Sequence, residues 1–370
     1  MEFIVRKFDL LQELTLIQGV VERKTTIPIL ANVLLKAADG QLGIIATDLE
    51  IGLKSTCPST ITKSGTITLP AKRLYEIVRA LSDKEIRFKQ GDGSWMTLTC
   101  GSSRFRIAGL PEEDFPKLPA PANGVVAIPA STMSQLIART IYAISTEDSK
   151  YTFSGALLVL KQGSLIMVTT DGHRLCYAEK KGEIGGVSDE SKVLIPKKAM
   201  AELSRMLNEP AEDMSVRFSR DDNHLFFDLG DRLLVSRVLS GQFPSWEGVL
   251  PRNNERKFTI GRDEIAAAIR RVAILADERS KTIRFSVAKG ALEIASGHSD
   301  VGDATEALEV AYNGEEFQIG FNYQYLIDFL STIPEAEISF EFKDGESATQ
   351  LRAVPGEDYN SRYIVMPMRI

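Results

Sequence analysis

The chain repeats itself at a fixed interval, and this limits its architecture more than any other feature. Three strand-to-helix passages, "TLPAKRLYEIV" (68–78), "LIPKKAMAEL" (194–203) and "IGFNYQYLIDF" (319–329), place Pro70, Pro196 and Asn322 at a helix start, 126 residues apart. Proline suits a first helical turn and asparagine caps one. Leu74, Met200 and Leu326 follow at one helical spacing, then Ile77, Leu203 and Phe329 at the next, which makes one apolar face. A second landmark is independent of the first. Gly40, Gly163 and Gly290 each sit between two alternating apolar runs, eight residues before Asp48, Asp171 and His298, as in a hairpin. A helical stretch precedes each hairpin (8–21, 130–145, 262–275), and a strand meander follows each second helix (85–109, 215–239, 337–354). Two landmarks recurring three times predict an α+β chain of three copies of a helix-strands-helix-strands domain. The Pro-rich polar stretches at 112–124 and 241–255 divide it into domains 1–122, 123–252 and 253–370.

Composition excludes several classes. The 370 residues are 44% hydrophobic and 25% charged, the balance of a globular chain. Arg6, Lys7 and Asp9 interrupt the N-terminal apolar run, so no signal peptide is expected, and no apolar run is long enough for a membrane span. Cys57, Cys100 and Cys176 are odd in number and far apart, which predicts reduced thiols in a cytoplasmic protein. No Cys or His pair has metal-ligand spacing, and neither metal nor cofactor is expected. The net charge of −6 hides its distribution. The helices carry Lys72, Arg73 and Arg79 against Glu76; Lys197, Lys198 and Arg205 against Glu202; Arg139; and Arg262, Arg270 and Arg271 against Asp263 and Glu264. One such helix is an ordinary solvated face; recurrence points to a shared basic surface for a polyanion.

"TTDGHRLC" (169–176) contains two of the ingredients of an active site, Asp171 and His173. The same corner reads "ATDLEIGL" (46–53) in the first copy and "ASGHSDVG" (295–302) in the third, with no recurring acid–base pair. No nucleophile elbow, P-loop or zinc-protease motif accompanies it. The better reading is a strand-ending turn in which Asp171 binds local backbone, with His173 and Arg174 exposed beside a binding groove. An enzyme using Asp171 and His173 is the disfavoured alternative.

The residues resemble a known family along essentially the whole chain. "KTTIPILANVLL" (24–35), "TLPAKRLYEIVRAL" (68–81), "EDFPKLP" (113–119), "TTDGHRL" (169–175), "GQFPSWEGVLP" (241–251) and "YIVMPMRI" (363–370) are similar to the bacterial sliding clamps, the beta subunits of DNA polymerase III. The resemblance implies a non-catalytic processivity factor. Two chains would close head to tail into a six-domain ring around double-stranded DNA, helices inside and sheets outside. Twelve helices spaced about 9 Å apart make a circle about 34 Å across. Helix thickness of about 10 Å leaves an opening of about 24 Å, wide enough for a duplex. Phosphate attraction without base readout permits sliding. The implied partners are the clamp loader, the replicative polymerase alpha subunit and other proteins carrying a short clamp-binding peptide. The peptide groove would use Phe153, Thr170, Gly172, His173, Arg174, Leu175, Pro244, Val249, Ile364, Val365, Met366, Pro367, Met368 and Arg369. Flexible methionines suit a surface serving many partners, although "YIV" also reads as a buried edge strand. Gly248, beside Glu247, stands where family members carry a basic residue. DNA contact is implied for Lys24, Lys72, Lys150 and Tyr151, and at an inner position occupied by Glu147, whose charge repels phosphate. The dimer interface is implied for Phe105 and Ile107 against Ile274 and Leu275. A clamp-fold protein that binds partners without DNA loading is the remaining alternative.

Overall fold

The computed structural model describes residues 1–21, 26–121, 124–146, 153–182, 185–187, 189–208, 211, 213–298, 302–354 and 359–369. The first repeat runs β1 (Glu2–Arg6), α1 (Lys7–Ile17), β2 (Asn32–Ala38), β3 (Gln41–Thr47), β4 (Ile51–Pro58), β5 (Thr60–Lys63), β6 (Gly65–Pro70), α2 (Ala71–Ala80), β7 (Glu85–Gln90), β8 (Trp95–Cys100) and β9 (Ser103–Ala108). The second runs β10 (Val126–Pro129), α3 (Ala130–Ala138), β11 (Gly155–Lys161), β12 (Ser164–Thr170), β13 (Arg174–Lys181), β14 (Ser191–Pro196), α4 (Lys197–Met206), β15 (Ser215–Arg220), β16 (His224–Asp228) and β17 (Arg232–Arg237). The third runs β18 (Arg256–Gly261), α5 (Arg262–Val272), β19 (Thr282–Ala288), β20 (Ala291–His298), β21 (Gly302–Glu309), β22 (Phe317–Asn322), α6 (Tyr323–Leu330), β23 (Glu337–Phe342), β24 (Thr349–Val354) and β25 (Asn360–Val365).

Each repeat therefore opens on a strand, not on the helix that the sequence announces. β1, β10 and β18 are four to six residues long and run directly into helices, so helical periodicity masks their alternation. Each pairs antiparallel with the first strand of its own meander: β1 with β7, β10 with β15, β18 with β23. The hairpin glycines are real landmarks. Gly40, Gly163 and Gly290 take φ of +74°, +81° and +76°, a region costly for residues bearing a Cβ. Pro70 and Pro196 end β6 and β14 one residue before the helix, and the Asn322 side chain accepts from the Gln324 N–H at 3.0 Å as the cap of α6. Leu74, Met200, Leu326, Leu203 and Phe329 are buried as the periodicity requires; Ile77 is only half-buried, and Val78 takes its place in the core.

The chain divides into two compact units, residues 1–133 with 198–238 and residues 134–197 with 239–370, rather than one unit per repeat. The sheets explain this. An eight-stranded sheet in the first unit runs β10-β15-β16-β17-β4-β3-β2-β6, and one in the second runs β14-β11-β12-β13-β25-β24-β23-β18. Each fuses halves from two repeats, through β17 on β4 and β25 on β13. A five-stranded sheet (β5-β1-β7-β8-β9) belongs to the first unit and a four-stranded one (β21-β20-β19-β22) to the second. The second unit's core contains Phe258, Phe285, Phe321, Phe340 and Phe342, with Phe258 and Phe340 stacked at 5.2 Å. A fully buried side chain of this size contributes about 1.5–3 kcal/mol. Among the described residues no helix is long and apolar enough to cross a membrane.

Candidate functional site

The "TTDGHRL" corner is a turn closed by its own side chains. Asp171 Oδ1 accepts from the His173 N–H at 2.9 Å and the Arg174 N–H at 3.0 Å. Thr170 Oγ1 donates to the Arg174 carbonyl at 2.6 Å and accepts from the Gly172 N–H at 3.1 Å. Gly172 takes φ +93°, which favours glycine there. Asp171 thus meets the backbone of His173, and its second oxygen accepts from Arg174 Nε at 2.9 Å. This is the arrangement of a structural turn, not of a carboxylate orienting an imidazole.

His173 is exposed as expected, but Arg174 is not. Its side chain is 9% exposed, and Nη1 donates to Asp328 of α6 at 2.6 Å while Nη2 donates to the Tyr142 carbonyl at 2.7 Å. Its guanidinium lies 4.3 Å from the centre of the Tyr325 ring. The charge is spent on tying the corner to α6, because a guanidinium leaving water needs carboxylate and carbonyl partners.

A cavity of about 450 Å³ opens beside the corner. Of the fourteen residues expected to form a groove, the structure brings ten to this cavity: Phe153, Thr170, Gly172, His173, Arg174, Leu175, Pro244, Val249, Ile364 and Met366. The other four are elsewhere. Val365 is fully buried in the core, because alternation along β25 sends it to the face opposite Ile364. Pro367, Met368 and Arg369 are absent from the lining. Met368 donates its N–H to the Gly320 carbonyl at 2.8 Å, and its sulfur accepts from Thr282 Oγ1 at 3.5 Å. Nor is "YIV" an edge strand: β25 pairs with β13 on one side and β24 on the other. Met366 then donates its N–H to the His173 carbonyl at 2.9 Å, which holds tail and corner together.

Four further lining residues are Phe243, Ser245, Trp246 and Ala348. Phe243 and Trp246 flank Pro244 in one short linker, a signal that could have drawn them in; Ala348 has none. Trp246 packs on Tyr177 with ring centres 5.1 Å apart and forms part of the wall. Gly248 and Glu247 are exposed and do not line the cavity, and Glu247 accepts from Ser245 Oγ at 3.3 Å.

The basic surface is thinner than the residue types imply. Lys24, Glu147, Lys150 and Tyr151 lie outside the described residues. Lys72 is exposed on α2, 4.0 Å from Glu76, which Arg73 also approaches to 3.0 Å. A cavity of about 560 Å³ beside it includes Lys72, Tyr75 and Arg79. Arg139 does not belong to that surface: it is buried and pairs with Glu335 at 2.8 Å. A long side chain at the end of a helix can turn inward when a carboxylate waits there, and periodicity alone does not reveal the carboxylate.

Phe105 and Ile107 sit opposite Leu98 and Met96 on the core face of their sheet. Leu98 and Met96 are fully buried, yet Phe105 is 36% exposed and Ile107 is only partly covered. Ile274 is 78% exposed and Leu275 half-buried, in a 3-10 turn packed on β20 and β21. Both are unfinished apolar surfaces.

Comparison with known proteins follows the repeats. The N-terminal, central and C-terminal domains of the DNA polymerase III beta subunit match residues 1–119, 127–245 and 247–369. The chain is 34% identical to the beta sliding clamp of Pseudomonas aeruginosa and 35% identical to that of Caulobacter vibrioides, over the full length of each. The chain belongs to the DNA polymerase III beta subunit family. The crystal structure of a sliding clamp from Bartonella birtlesii superposes with a TM-score of 0.94 at 31% identity, each chain covered completely. The family is one of processivity subunits without a catalytic site, which accords with a corner whose carboxylate is committed to backbone and arginine.

Proposed function

We propose that this chain closes with a second copy, head to tail, into a six-domain ring that encircles duplex DNA and holds polymerase and clamp loader through the 450 Å³ groove. One observation carries the reading. Within the chain, the last strand of a repeat joins the fourth strand-position of the preceding repeat, as β17 does on β4 and β25 on β13. Their counterparts β9 and β21 end their sheets. β9 carries Arg104 and Arg106 and no acid; β21 carries Asp303, Glu306 and Glu309 and no base. Pairing β9 with the partner's β21 joins opposite charges and covers Phe105, Ile107, Ile274 and Leu275, whereas β9 on β9 opposes like charges. Two such joints close six repeats.

Under this reading the domains are 1–122, 123–252 and 253–370, and the protein works in the cytoplasm. Lys24, Lys72, Lys150 and Tyr151 supply phosphate contacts, with Glu147 a repulsive position among them. The ten residues at the cavity, joined by Phe243 and Trp246, take the partner peptide. Sedimentation should show a dimer, and loaded protein should stay on circular DNA but slide off after linearisation. A native monomer, or equal retention on circular and linear DNA in moderate salt, overturns the ring.

A further inference from the structure

The corner at the peptide groove has a twin in the first repeat. Thr47 Oγ1 donates to the Ile51 carbonyl at 2.8 Å and accepts from the Leu49 N–H at 3.0 Å. Asp48 Oδ1 accepts from the Glu50 N–H at 2.9 Å and the Ile51 N–H at 2.8 Å. Arg237 donates its N–H to the Glu50 carbonyl at 2.9 Å, as Met366 does to His173. The backbone of a groove wall is therefore built twice, once at β12–β13–β25 and once at β3–β4–β17.

The side chains differ where they matter. Gly172, which lines the open cavity, is replaced by Leu49, held at φ +77° although a branched side chain is disfavoured there. Leu175 is replaced by Gly52, and a Cβ on Gly52 would lie 2.3 Å from Leu118 Cδ2, so Leu118 occupies that space. Phe153 and Phe243 line the open cavity; their counterparts by strand register and by the shared Phe-Pro linker, Leu30 and Phe115, are buried together in one cluster with Ile29.

We propose that the Thr47–Ile51 corner is a closed copy of the peptide groove, filled by the chain's own Phe115–Leu118 segment, with Leu49, 45% exposed, as an outer lid where the open groove has Gly172, so that each chain admits one peptide. The proposal rests on the groove reading and identifies the residues that confine binding to the second copy. Strain at Leu49 fits a lid retained for occlusion, since strained backbone persists where the surroundings over-determine it.

The test is a calorimetric titration with a synthetic peptide copied from the clamp-binding segment of a polymerase alpha subunit. Wild-type dimer should bind one peptide per chain. Leu49→Gly with Leu118→Ala and Arg237→Met should bind two, and Gly172→Leu should lose binding at concentrations that saturate the wild type. Two peptides per wild-type chain, or one per chain in a folded triple variant, overturns the proposal. If the triple variant does not fold, Gly172→Leu decides: retained binding refutes occlusion by a leucine at this place. Leu49→Gly alone should raise the melting temperature without any peptide, and a lowered one refutes the strained lid. Absence of peptide binding by the wild type, with Leu49→Gly stabilising, would refute the groove reading and leave the closed corner standing.

Discussion

Arg174 shows how a groove can use a cation without presenting one. Arg174 lines the cavity, yet its charge is held by Asp171 and Asp328. Removing one carboxylate leaves a poorly compensated guanidinium behind the groove. Asp328→Ala should therefore lower stability by about 1.5–3 kcal/mol, the usual worth of a hydrogen bond to a charged group, and should weaken peptide binding although Asp328 does not line the cavity. An unchanged denaturation midpoint would refute a stabilising role for the Arg174–Asp328 pair. The thiols make a second prediction at this scale. Burial pushes Cys57 and Cys176 up to about 12, against about 8.5 for a free thiol. A thiol whose folded pKa is raised favours the folded state fully below the unfolded pKa, and this contribution is lost as pH climbs towards 12. Alkylation of the native chain should thus stay slow at pH 9, where the denatured chain reacts quickly. Rapid native labelling of either cysteine at that pH would contradict their burial.

In the proposed ring, strand edges decide assembly. β9 and β21 are the copies of strands that are paired elsewhere in the chain, and their apolar neighbours Phe105 and Ile274 are uncovered. A single charge placed in that surface costs more on association than an alanine, which merely shortens it. Ile274→Asp should yield monomers by light scattering while the melting curve of the chain changes little, because an exposed side chain contributes little to its own fold. A persistent dimer would place the interface elsewhere.

For the whole molecule, weak electrostatics and topology have separate signatures. The described helices offer few free cations, since Arg139 is buried and Arg73, Arg205, Arg262 and Arg271 each have a carboxylate partner. Direct association with DNA should be weak and strongly salt-dependent, whereas an enclosing ring persists without tight contacts. Lys72→Ala should reduce the logarithmic salt slope of loader-free binding by about 1 and leave retention on circular DNA nearly unchanged. Loss of circular retention at moderate salt would mean that contact, not enclosure, holds the protein on DNA.

Periodicity and spacing by themselves determined the three repeats, the six helices, the glycine hairpins and the turn at Asp171, because these depend on neighbours in the chain. The resemblance carried by short motifs named fourteen residues for a groove, and ten of them meet at one cavity. Tertiary structure alone decided the rest. The short opening strands are defined by partners roughly eighty to ninety residues away, β1 by β7 and β10 by β15. Whether Arg174 and Arg139 face water depended on Asp328 and Glu335, which no local pattern places beside them. Val365 left the groove for the core because pairing on both sides of β25 sets which face each residue takes. The closed twin of the groove could not be read from "ATDLEIGL" either, since Leu118 fills Gly52's space from a distant linker. Local order follows from adjacent residues; burial and charge pairing follow from contacts that only the folded chain makes.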